Sequence, residues 1–158
     1  MRIAFDLDGT LIIEDHPFPL EKRAKPYEHK PLSSEQLRAG LINLYQNIVN
    51  LDHEFWVYTS SYRSIEAIER LFKQYELNLH GIINQGIHHN TLAKKENELR
   101  WISKYPPAFE IDLLIDNSTL VQEESKKWGF EVLLISATDL FWTEKIMQKI
   151  SLLQNDIL

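Results

Sequence analysis

The sequence predicts an α/β fold in which a parallel sheet of about five strands carries helices on both faces. Two patterns lead to that expectation. Short apolar runs closing on polar side chains recur at residues 3–5, 54–58, 81–84, 111–115 and 131–135. Between most of them lie longer stretches whose apolar residues return every three or four positions, the spacing of a helix with one buried face. Strands that alternate with helices must run parallel, joined by right-handed crossovers. With 158 residues, 44% of them hydrophobic and 25% charged, the chain fits one domain of ordinary size, 1–158.

The first strand ends on Asp6-Leu7-Asp8-Gly9-Thr10-Leu11. Residues 12–32 hold four prolines and mixed charge without sustained periodicity, and read as a short irregular flap after that strand. Ser33 and Ser34 are candidate caps, with Gln36 placed for a capping box, for a helix whose apolar face is Leu37, Leu41, Leu44 and Ile48. The second strand, Glu54–Tyr58, closes on Thr59-Ser60-Ser61-Tyr62-Arg63, and Ser64 caps a helix with the stripe Ile65, Ile68, Leu71, Phe72 and Tyr75. Residues 81–84 form the third strand, and 85–89 read as a polar loop carrying His88 and His89. Leu92, Leu99 and Ile102 suggest a helix within 91–103, ended by Pro106 and Pro107, which cannot continue the hydrogen-bond ladder.

The fourth strand, 111–115, closes on Asp116-Asn117-Ser118 and so repeats the design of the first. A helix over Thr119–Trp128 stops at Gly129. A fifth strand covers 131–135, and a last helix over 139–153 buries Leu140, Met147 and Ile150. The tryptophans, Trp56, Trp101, Trp128 and Trp142, are expected to pack against the core. The whole is a three-layer, Rossmann-like plan, and ligands in such sheets bind beyond the carboxyl ends of the strands. Asp6, Thr59, Asn84 and Asp116 all stand there.

Bulk properties exclude several functions. The chain has no cysteine, so it offers no disulfide, thiolate zinc site or cysteine nucleophile. No apolar run reaches the length of a membrane span, and the first strand begins at once, which points to a cytoplasmic protein without a signal peptide. A net charge of -6 argues against broad, nonspecific nucleic-acid binding. It leaves room for a local cluster that binds one phosphate.

Asp6 and Asp8 share a face of an extended segment, while Leu7 turns back into the core. Two carboxylates crowded together are costly unless a cation or a shared proton lies between them. Gly9 lets the chain turn tightly there and brings bare amides close to whatever the carboxylates hold.

A strand followed by Asp-x-Asp-Gly-Thr-Leu resembles the nucleophile motif of the haloacid dehalogenase-like superfamily, most of whose members are phosphatases. The resemblance extends to residue 135, and 111–136 is similar to small capless bacterial members of unassigned substrate. It implies that Asp6 attacks phosphorus and that Asp8 protonates the leaving oxygen and later deprotonates water. It further implies that the Thr59 hydroxyl holds the phosphate, with Ser60 as a stand-in. Magnesium would be held by Asp6, the Asp8 carbonyl oxygen, Asp116 and Asn117, an all-oxygen set suited to that ion. Asn117 departs from the second aspartate of many members; an amide oxygen is still a hard ligand. The lysine that neutralises the phosphate is Lys104 by the spacing of small members, or Lys94 or Lys95 by that of capped phosphatases. Tyr62 and Arg63 are placed to read the leaving group, and His88 and His89 suit a polar loop or substrate contact better than a shared metal.

The leading expectation is a magnesium-dependent phosphomonoester hydrolase working through an aspartyl-phosphate. Its substrate would be a phosphorylated small molecule or an exposed phosphate on a macromolecule, and a homo-oligomer would cover the otherwise open site. The alternatives are a catalytically weak binding or regulatory module with the same fold, and a phosphotransferase.

Overall fold

In β1 (Arg2–Phe5), Ile3 and Phe5 face one side and Ala4 the other, and all three are fully buried. A strand apolar on both faces must be sandwiched, and it lies at the centre of the sheet. The computed structural model describes residues 1–13, 19–24, 35–95 and 97–155. Among them β2 (Glu54–Tyr58), β3 (Gly81–Ile83), β4 (Leu113–Asp116) and β5 (Val132–Leu134) complete a sheet ordered β3-β2-β1-β4-β5. Every pairing is parallel, with Phe5 opposite Val57 on one side and Ile115 on the other. The three-layer α/β expectation holds.

The helices are α1 (Leu41–Asn50), α2 (Ile65–Lys73), α3 (Gln85–Leu92), α4 (Thr119–Trp128) and α5 (Trp142–Asn155). One core joins Ile3, Phe5, Phe55 and Val57 to Leu44 and Ile48 of α1, Ile68 and Phe72 of α2, and Ile146 and Ile150 of α5. Within it Phe5 and Phe55 stack with ring centroids 4.3 Å apart. The opposite core packs Ala4, Tyr58, Ile83 and Leu114 against Val121 of α4. The chain turns from one half of the sheet to the other between β1 and β4, the place where such sheets open a crevice for ligand.

Several elements differ from the sequence-based expectation. The first helix starts at Leu41 rather than near Leu37, because Gly40 takes a left-handed conformation (φ 92°) and breaks the helical path. Leu37 is buried nonetheless, in the irregular segment ahead of the helix. The expected caps Ser33 and Ser34, and most of the expected flap over 12–32, lie outside the described residues. Residues 85–89 are not a loop but the start of α3, whose first turn is capped by the Asn84 side chain accepting from the Ile87 amide at 3.0 Å. The expected helix within 91–103 is reduced to a 3-10 segment at Asn97–Trp101, and a second one, Pro106–Phe109, begins at the prolines. Leu140 lies outside α5 and is 68% exposed, and Trp101 is 88% exposed.

Candidate active site

The loop after β1 is built on one carbonyl. Leu7 O accepts from the amides of Leu11 and Ile12 at 3.0 and 2.8 Å, which folds the chain back on itself. Gly9 sits in this loop with φ +84°, a conformation strained for other residues, and a Cβ there would lie 2.3 Å from Asn117 Nδ2, so any side chain would also have to displace Asn117. Asp6 and Asp116 stand side by side at the ends of adjacent strands, and the Asp6 amide donates to Ile115 O at 2.8 Å.

Asp6, Asp8, Thr59, Ser60, Lys104, Asp116 and Asn117 line one open cavity of about 410 Å³, together with Ser61, Ser103, Ser118 and Val121. At its floor Lys104 Nζ lies 2.5 Å from Asp6 Oδ1 and 2.6 Å from Asp116 Oδ2. Lys104 is 2% exposed, a burial that an ammonium tolerates only with charged partners. The remaining carboxylate oxygens are held as well. The Ser118 amide donates to Asp116 Oδ1 at 2.8 Å, and the buried Thr10 hydroxyl lies 3.3 Å from Asp6 Oδ2 and 3.4 Å from Asn117 Oδ1.

Burial pushes the Asp6 carboxyl above its ordinary value; the Lys104 charge opposes that rise and the neighbouring Asp116 charge adds to it. Two buried carboxylates thus share one ammonium. The surplus negative charge, and a donor set made only of oxygens from Asp6, Asp116 and Asn117, fit a hard divalent cation. Among the described residues no group of three or more His, Cys, Asp or Glu side chains is arranged around a metal position. Magnesium, which keeps several waters, needs only one or two carboxylates, so the pair suffices.

Asp8 is turned differently from Asp6. Both of its oxygens accept from Arg63 Nη1, at 2.7 and 2.6 Å, and Arg63 Nη2 donates to Glu35 at 2.5 Å. Arg63 therefore reaches the cavity through Asp8. Hydrogen bonding to Asp8 raises the Arg63 guanidinium further above its ordinary range. The Thr59 side chain faces the cavity, its hydroxyl accepting from the Ser61 amide at 3.1 Å. Of the three candidate lysines only Lys104 lines the cavity; Lys94 and Lys95 are exposed on the turn after α3.

His88 and His89 separate sharply. His88 is fully buried, its ring bonded to Tyr58 and to the Ile102 carbonyl, and burial lowers its pKa. His89 faces outward, bonded to Tyr62. Sequence reasoning gave no role to Thr10, Tyr58 or Ser103. The signal for Thr10 was present, since it belongs to the same turn as Asp8; Tyr58 and Ser103 carried none.

No protein-family model and no curated protein matches the sequence. The fold is similar to that of a chain in a Pnkp1/Rnl/Hen1 complex, at 14% identity and a TM-score of 0.55, covering 87% of this chain and 46% of that one. A chain of a Pnkp1/Rnl/Hen1 RNA repair complex is similar at 15% identity and a TM-score of 0.52, covering 84% of this chain and 41% of that one. The chain thus spans less than half the length of these neighbours, and the likeness is one of fold. Among the described residues no helix is long and apolar enough to cross a membrane.

Proposed function

We propose that the chain is a magnesium-dependent phosphomonoesterase of the haloacid dehalogenase-like type, working through an aspartyl-phosphate. The observation that carries this reading is the ammonium of Lys104 wedged between Asp6 and Asp116 at the floor of an open cavity. Phosphomonoester hydrolysis demands on the order of twenty kcal/mol of barrier reduction, which takes a nucleophile, fixed positive charge and proton transfer together.

In this reading an Asp6 carboxylate oxygen bonds to phosphorus as the ester P–O bond breaks, and Asp8 gives a proton to the departing oxygen. Asp8 then takes a proton from water as the water oxygen attacks phosphorus. The aspartyl P–O bond breaks, freeing Asp6 and inorganic phosphate. Lys104 offsets charge on the nucleophile and on the phosphoryl oxygens, and the Thr59 hydroxyl orients them. When bound by Asp6, the Asp8 carbonyl, Asp116 and Asn117, magnesium supplies further positive charge at the phosphoryl group. In the substrate-free protein Asp8 is a carboxylate bonded to Arg63. When substrate arrives it leaves Arg63 and takes up from solvent the proton that it gives to the departing oxygen, and the proton it later takes from water restores that form.

Hydrolysis of an aryl phosphate should require magnesium and stop on chelation. It should fall roughly a thousandfold or more in Asp6→Asn. Retained activity in that variant sinks the mechanism; magnesium-independent phosphate binding without turnover favours a binding module instead. Transfer to an added alcohol marks a phosphotransferase. Because its structural neighbours include a chain of an RNA repair complex, phosphorylated oligonucleotides belong in the substrate panel beside phosphorylated metabolites.

A further inference from the structure

Residues 102–105 carry the lysine at the centre of the site yet belong to no helix or strand. Lysine has a long flexible stem, and holding its ammonium in one place costs side-chain entropy. Something must fix the backbone beneath it. The Tyr105 amide donates to Tyr58 Oη at 2.9 Å, Tyr58 Oη lies 2.5 Å from His88 Nδ1, and His88 Nε2 lies 3.0 Å from the Ile102 carbonyl oxygen.

One hydrogen arrangement satisfies all three contacts. Tyr58 accepts from the amide and so donates its own hydrogen to Nδ1, leaving the neutral imidazole to donate from Nε2 to Ile102. The loop this makes spans both sides of Lys104. Burial raises the Tyr58 phenol and lowers the His88 imidazole, which keeps both in those forms at neutral pH. Tyr58 serves a second time, since Lys104 Nζ lies 5.8 Å from the centre of its ring, within reach of a cation–π contact. A third tie comes from the Ser103 amide, which donates to the Glu124 carboxylate at 3.1 Å.

We propose that Tyr58 and His88 are positioning residues: a buried pair that clamps residues 102–105 so that the Lys104 ammonium falls between Asp6 and Asp116. Neither lines the cavity. Both act through Lys104, and the pair ties β2 to α3.

The proposal rests on the phosphatase reading only for its kinetic readout, so two measurements are made on Tyr58→Phe, which keeps the ring and loses the hydroxyl. The first is the ¹H–¹⁵N signal of the Lys104 ammonium in the substrate-free protein, assigned by its loss in Lys104→Met. The wild type should show a slowly exchanging signal that shifts or broadens away in Tyr58→Phe. The second is the kinetic split: kcat should fall about 10- to 100-fold while KM stays within about twofold. An unchanged ammonium signal in Tyr58→Phe overturns the proposal, whatever the kinetics, as does a wild-type ammonium that exchanges too fast to detect. A lost signal in a protein that never hydrolyses phosphate upholds the clamp and rejects the phosphatase reading instead. His88→Gln, judged by the same two readouts, replaces Tyr58→Phe if that variant does not fold.

Discussion

Two buried cations stand near the carboxyl edge of the sheet, and they are solvated in opposite ways. Arg38, 4% exposed, spends its guanidinium on neutral oxygens: the carbonyls of Thr10, Ser136, Ala137 and Asp139, at 3.4, 3.1, 3.2 and 2.6 Å. It also lies 4.6 Å from the centre of the Trp142 ring. Lys104, 2% exposed, instead places its ammonium between two carboxylates. The Arg38 arrangement ties the loop after β1 to the loop after β5 and calls for nothing further. The Lys104 arrangement leaves a surplus negative charge in low dielectric, an expensive state that suits a group built to receive a cation or a phosphoryl group.

Replacing each cation should therefore break different things. The largest effect is expected for Lys104→Met, which should lower kcat on an aryl phosphate by roughly a thousandfold, the loss typical of removing a preorganised charge from a transition state. Next comes Arg38→Met, which strands several buried carbonyls and should cost about 3 kcal/mol of folding stability by denaturant titration. At a temperature where that variant is folded, it should retain far more activity than Lys104→Met. Equal losses of activity in the two would erase the distinction drawn between them.

A smaller effect sharpens the charge argument. Asn117→Asp adds a carboxylate to the oxygen set without changing its size, and should lower the magnesium concentration for half-maximal activity about tenfold. Activity titrated against magnesium checks it. The smallest effect is on stability against pH. Burial depresses the His53 and His88 imidazoles, so their contribution is present above the ordinary value of 6.5 and lost as pH falls through the lowered values. Asp6 runs the other way: its raised carboxyl contributes fully below the ordinary 3.8 and loses that contribution as pH rises through the raised value. Thermal midpoints should fall on acidification below about pH 6.5, and magnesium should raise them more at neutral than at acid pH.

Much of this was legible in the sequence because strand ends announce themselves. Apolar runs closing on Asp6, Thr59 and Asp116 marked the strands, and the end of α4 was read from Gly129; Ser118, which caps its start, was not singled out. Lys104 was legible only through its distance from the fourth strand, since its burial depends on partners far away in sequence. The helix α3 was missed because its buried positions include His88, whose polarity hid the spacing shared with Leu92; Asn84 as a cap was the available clue. The Tyr58–His88 clamp joins residues 30 apart, and the engagement of Asp8 by Arg63 joins residues 55 apart, contacts that no local pattern encodes.

The central claim is that Asp6 becomes phosphorylated. Rapid acid quenching during turnover of an aryl phosphate with magnesium, followed by borohydride reduction and peptide mass analysis, reads this directly. Residue 6 should be converted to homoserine, with Asp8 and Asp116 unmodified. Turnover with no modification at position 6, or with modification at another carboxylate, would contradict it.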